Sequence, residues 1–178
     1  MEYSTGKLGR VIAARFHDGE NVYAGIEEIA QREKLESAMV FIVGGARRGK
    51  VVVGPKEGPQ TRHTAFGGPA GPIEPMVRSF DDAREIVGFG TIFPSDDKPS
   101  LHMHAAMGRG DEVIVGCPRQ GLDVFLVLEV ILIELLDLGG RRELDPASGL
   151  RLLSLLPGRR TTPPTPNRPA PPDPDSGG

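Results

Sequence analysis

The sequence predicts a strand-rich domain with a single early helix, and three observations support that reading. Apolar residues recur at helical spacing after Asn21, where Val22, Ile26, Ile29 and Ala30 fall on one face. The other apolar runs are mostly short, rich in β-branched residues and bounded by Gly, Asp or Pro, as strands are. From Gly158 to Gly178 the composition changes to seven prolines with almost no apolar side chains. Such a segment cannot bury enough surface to offset the entropy of ordering, so a disordered tail is expected over 158–178 beside one domain over 1–157. A domain of this size buries roughly two-thirds of its unfolded surface, enough for a core without staples.

Lys7 to Phe16 reads as the first strand, with Val11, Ile12 and Phe16 as its apolar members. Asp18-Gly19 turns the chain, and Asp18 or Asn21 can cap the helix that follows. On its exposed face Glu28 and Arg32 make an i,i+4 pair, and Lys34 to Glu36 ends it. Ala38 to Val43 is a buried strand closed by Gly44-Gly45; a turn at Arg47 to Gly49 and a second strand, Lys50 to Val53, make a hairpin. The segment from Gly54 to Pro75 lacks periodicity and is rich in Gly and Pro, a long loop of the kind that often serves function. Met76 to Phe80 forms a short strand and Arg84 to Phe93 a firmer one. Leu101 to Met107 and Glu112 to Cys117 form the next hairpin. Asp123 to Leu136 is apolar throughout, and its β-branched Val124, Val127, Val130, Ile131 and Ile133 favour a central strand over a helix. Leu150 to Leu155 adds a last strand.

Whole-chain totals narrow the function. One cysteine among 178 residues excludes an internal disulfide and points to a reducing, cytoplasmic setting. The N-terminus has no apolar run that would act as a leader, and Val124 to Leu136, interrupted by Glu129 and Glu134, is too short to cross a bilayer. The 21 basic and 24 acidic residues give a net charge of −3, and there is no Trp and only two Tyr. A nucleic-acid binder normally presents a basic face and stacking aromatics, so this balance argues against that class.

His102-Met103-His104 carries the chemistry. Alternate residues on a strand share a face, so both imidazoles project together from Cα atoms roughly 6.5–7 Å apart. An even turn, Arg109-Gly110 or Gly108 to Asp111, would pair positions whose numbers sum to 219, placing Cys117 across from His102 on that same face, whereas a three-residue turn would point it away. Two imidazoles and a thiolate leave a fourth position open, the pattern of a catalytic zinc site. The plain alternative is a pair of half-exposed histidines with Cys117 as a small buried hydrophobe. Glu129 stands inside an apolar run and needs a partner. It could orient an imidazole or act as general base at the ion, or pair at a subunit interface with Arg84 or Arg119. His17 and His63 read as exposed, His63 being an optional extra ligand. Gly44 to Lys50 resembles a phosphate cradle only faintly, lacking the spacing and the following helix.

Together FIVGGA (Phe41 to Ala46), EIVGFGTI (Glu85 to Ile92), LHMH (Leu101 to His104), VIVGC (Val113 to Cys117) and LEVILIEL (Leu128 to Leu135), with the turn from Phe16 to Asn21, resemble the PPC (plants and prokaryotes conserved) domain from about Gly9 to Leu136. Plants attach that domain to AT-hook nuclear proteins, and prokaryotes often carry it alone. The resemblance implies an α+β fold, a mostly antiparallel sheet with one or two helices similar to acetolactate decarboxylases, assembled as a homotrimer. It also implies a divalent metal, commonly zinc, held by the histidine pair and a later histidine, whose place Cys117 takes here. Many members are labelled DNA-binding, but this chain has no Arg-Gly-Arg-Pro core. The expected function is a metal-binding regulatory module; the rival is a zinc-dependent lyase or hydrolase of a small carbonyl compound, with Glu129 moving the proton.

Overall fold

The computed structural model describes residues 2–56, 74–146 and 148–155. The expected tail over 158–178, most of the long loop and His63 lie outside the described residues.

Strand β1 (Lys7–His17) leads through a turn into helix α1 (Val22–Arg32), followed by β2 (Ala38–Pro55), β3 (Pro75–Ser95), β4 (Lys98–Arg109), β5 (Glu112–Gly116), β6 (Leu122–Leu136), β7 (Gly140–Leu144) and β8 (Arg151–Leu155). The first six strands make one antiparallel sheet in the order β1-β6-β2-β3-β4-β5, and β7 pairs with β8 in a separate two-stranded sheet. Asn21 caps the helix by accepting a hydrogen bond from the Ala24 amide at 3.0 Å, one of the two caps anticipated. Val22, Tyr23, Ile26 and Ala30 bury its inner face against the sheet. Strand β6 runs between β1 and β2, the central place that its β-branched residues suggested, with Leu128, Val130 and Leu132 fully buried.

Two expected breaks are absent. Strand β2 continues from Ala38 to Pro55, so there is no hairpin at Arg47 to Gly49. The glycines produce register shifts against β6 instead of a reversal. Gly44 takes φ +151, and a Cβ there would stand 2.4 Å from the Val127 carbonyl oxygen, so this bulge requires glycine. Likewise β3 runs unbroken through Asp81 to Ala83, paired with β2 at Asp81 and Arg84. Asp81 to Ala83 lack apolar alternation because they lie at a register shift against β2, where pairing rather than composition carries the strand on. Strand β7 had no apolar periodicity to announce it.

The hairpin between β4 and β5 turns one residue later than expected. Arg109 pairs with Glu112, leaving Gly110-Asp111 as the turn, with Gly110 at φ +56. Positive φ at the first central position is the requirement that glycine meets in a type II′ turn.

After Gly116 the chain leaves β4 and crosses to the far half of β2. Val52 and Cys117 exchange both amide-to-carbonyl hydrogen bonds at 2.9 Å, and the Lys50 amide donates to the Gly121 carbonyl, also at 2.9 Å. The sheet thereby closes on itself at that end. Its inner face holds the core; its outer face is unusually apolar, with Phe41, Val43, Val87, Phe89 and Ile131 exposed in adjacent rows.

Candidate metal centre

The site begins with glycine packing in β3. His102 and His104 stand on β4, opposite Thr91 and Phe89 of β3. Between them Gly90 pairs with Met103, and a Cβ on Gly90 would lie 2.7 Å from the Met103 Cβ and 2.8 Å from the His102 carbonyl oxygen. The bare backbone lets β4 lie close while Met103 fills the core, and the two imidazoles consequently face outward together. Their ring centroids are 5.1 Å apart at 83°.

Cys117 joins them. The ladder between β4 and β5 ends at Ala105 opposite Gly116, so Cys117 stands opposite neither histidine and is bridged to Val52 instead. Within the ladder the register is shifted by two residues from the expected one, and an even shift keeps each residue of β5 on its expected face. The donor atoms of His102, His104 and Cys117 all lie within 4.8 Å of one another. Donors around one zinc ion stand roughly 3.3–3.8 Å apart, given bonds of about 2.0–2.3 Å, so side-chain adjustments of about 1 Å would gather them. The donor set and its convergence therefore fit a zinc-like ion.

Several groups surround the donors. The Tyr23 hydroxyl donates to the Met103 carbonyl at 3.1 Å, and its oxygen lies 3.5 Å from Cys117 Sγ, a contact that either atom can donate. Burial, then the Cys117 hydrogen bond, holds the Tyr23 phenol well above its ordinary pKa, so it stays neutral. Arg119 Nε donates to Cys117 Sγ at 3.3 Å. Arg142, delivered by β7, donates through Nη2 to the Thr91 carbonyl at 3.2 Å and hydroxyl at 3.1 Å, and through Nε to the Ser100 carbonyl at 3.5 Å. Burial first, then the charges of Arg142, His104 and Arg119, lowers His102 from 6.5 to about 4. His102 is therefore a neutral imidazole near pH 7, the form that ligates metal.

Glu129 is not brought to this cluster. It is exposed on the outer face of β6, paired across to Arg15 and Val43, with β2 and β3 intervening before β4. Three strand steps amount to about 14 Å. Nor does it meet Arg84, whose partners are Asp82 and Glu112, or Arg119. His17 is exposed beside Glu20, as expected. Sequence reasoning missed Tyr23 and Arg142: nothing in the helix pattern marks Tyr23 as reaching Cys117, and Arg142 belongs to the strand that carried no signal.

A cleft of about 320 Å³ opens beside the cluster, lined by His104, Cys117 and Arg119 with Val52, Pro55 and Leu150 among its apolar walls.

Residues 3–136 match the family described as the Plants and Prokaryotes Conserved (PCC) domain. No curated protein gives a significant match. Among solved structures the chain is similar to the metal-containing protein AF0104 from Archaeoglobus fulgidus, with TM-score 0.72 and 21% identity over 86% of this chain and 99% of that one. A plant- and prokaryote-conserved protein from Pyrococcus horikoshii gives TM-score 0.70 and 22% identity over 88% and 99% of the two chains. A candidate DNA-binding protein from Ralstonia eutropha JMP134 gives 0.64 and 20% over 81% and 90%. Identities this low establish a shared fold alone.

Proposed function

This chain belongs to the Plants and Prokaryotes Conserved family, and from that premise we propose that it is a metal-binding module in which His102, His104 and Cys117 hold a divalent ion, zinc by the chemistry of the donors. The observation that supports this reading is the convergence of three donors of zinc-ligating type, drawn from β4 and the segment after β5, within 4.8 Å of one another. A bound zinc ion supplies a Lewis-acidic position open to water or to a ligand oxygen. The protein's own contribution is to hold His102 neutral, to seat Cys117 against Tyr23 and Arg119, and to wall the site with apolar residues.

A binding or regulatory module is better supported than a zinc-dependent lyase or hydrolase. The enzyme reading needs a carboxylate in reach of the ion, and among the described residues the cluster contains none. The apolar outer face supports self-association, and the family resemblance favours a homotrimer as the form it takes. DNA binding enters through the name of the Ralstonia eutropha neighbour; a net charge of −3 gives it little electrostatic footing.

Elemental analysis of the purified full chain tests the metal. The expected result is about one zinc per chain in the native protein and loss of it in Cys117→Ser. Protein that neither carries zinc nor gains thermal stability when zinc is added would overturn the reading.

A further inference from the structure

The site is over-supplied with positive charge. Arg119 and Arg142 flank the imidazole pair, and neither has a carboxylate within ion-pair distance among the described residues, although thirteen other such pairs occur there. Arg142 is only 7% exposed, and its partners are two carbonyls and one hydroxyl, all uncharged. A buried cation ordinarily has a counter-ion, because taking it out of water unpaired costs several kcal/mol. The burden is felt: burial, then the charge of Arg119, lowers Arg142 from its ordinary value. Arg119 is committed to protein only through Nε, and Arg142 through Nε and Nη2. Nη1 and Nη2 of Arg119 and Nη1 of Arg142 have no protein partner among the described residues; Arg119 lines the cleft beside His104 and Cys117, while Arg142 stands on Thr91, the residue opposite His102.

We propose that the cleft beside His104 and Cys117 binds a small organic carboxylate, its anionic head held by Arg119 in the field of the buried Arg142 and its apolar body seated against Val52, Pro55 and Leu150. This rests on the metal-centre reading for the position of the head, because a divalent ion with one thiolate leaves the surroundings still more positive. A guanidinium fork matches a carboxylate in plane and spacing. The cleft volume, about 320 Å³, is at the small end of ligand sites and suits an acid of a few carbons. Its walls, more apolar than a free inorganic anion needs, select against phosphate. Arg142 also lies beyond the 3–136 family match, on β7, so half of this charge pair is supplied by a part of the chain that the family description does not cover.

The test uses the full chain, zinc-loaded and metal-free, titrated by calorimetry with butyrate and separately with inorganic phosphate. Arg119→Gln is the principal variant because Arg119 is exposed and not needed for the core. Arg142→Lys, which keeps the positive charge beside Thr91 and His102, is the second and should retain butyrate binding. The expected result is butyrate binding that, compared at equal zinc content, is at least about tenfold weaker in Arg119→Gln than in wild type, with phosphate weaker than butyrate. Butyrate binding that is absent from the zinc-loaded wild type, unchanged in Arg119→Gln, or no tighter than phosphate overturns the proposal and leaves the metal centre standing. Failure to bind zinc, with butyrate still bound and still dependent on Arg119, overturns the metal reading and leaves the carboxylate site.

Discussion

The centre depends on three residues whose contributions differ. Cys117 is 2% exposed and shares its sulfur with Arg119 and Tyr23, so replacing it by serine keeps the volume but removes the soft donor. Zinc affinity in Cys117→Ser should fall at least about a hundredfold, read by competition with a colorimetric chelator. His102 makes a second prediction, for the metal-stripped protein. Its folded pKa, about 4, lies below the ordinary 6.5, so the unfolded chain takes up a proton first as pH falls. Stability from this group is complete above about 6.5 and is lost as pH drops toward about 4. Melting temperatures of metal-free wild type should decline over that window more than those of His102→Gln; parallel curves would refute the assignment. At this scale the site was legible in the sequence because a strand alternates faces whatever the exact turn: the hairpin moved by a residue, yet Cys117 stayed on the side of His104. Glu129 was misplaced because an apolar run says that a strand is central, not which face is outward. The run from Leu122 to Leu136 has its core on one side and an apolar but exposed surface on the other.

Elements are set by where backbone comes close to backbone. Gly90→Ala would drive a Cβ into Met103 and the His102 carbonyl, so it should cost about 1–3 kcal/mol in urea unfolding and weaken zinc binding as well, since β4 must retreat. Loss of stability without loss of zinc affinity would show that β4 does not depend on that approach to position its imidazoles. Helix α1 was legible through its cap and its periodic apolar face, both local signals. The bulges of β2 were not, because Gly44-Gly45 and Arg47 to Gly49 carry the composition of a turn. What keeps the strand going is pairing on both sides, with β3 and β6, a tertiary fact. The same holds for β7, which packs on β3 and is stabilised by Arg142 reaching Thr91 and Ser100.

For the whole molecule, the outer sheet face is the surface on which the proposed self-association rests. Phe41 and Phe89 pack on each other with centroids 5.2 Å apart yet remain 41% and 50% exposed, flanked by Val43 and Val87. An apolar surface of that kind is normally covered by a partner. Phe89→Asp should shift the protein from an oligomer to monomers in sedimentation velocity; an unchanged coefficient would locate the interface elsewhere. No helix among the described residues is long and apolar enough to cross a membrane. DNA association, if present, should collapse steeply between low and moderate salt, and a flat or null titration at low salt would exclude it.

The bridge between Val52 and Cys117 has one more consequence. The thiol belongs to the stretch where the curled sheet is sewn to itself, so coordination would add a tie to a seam that hydrogen bonds between Val52 and Cys117 and from Lys50 to Gly121 already close. Chelation should therefore let that seam breathe, and the Val52 and Cys117 amides should trade their protons for deuterium sooner than those in the middle of β6.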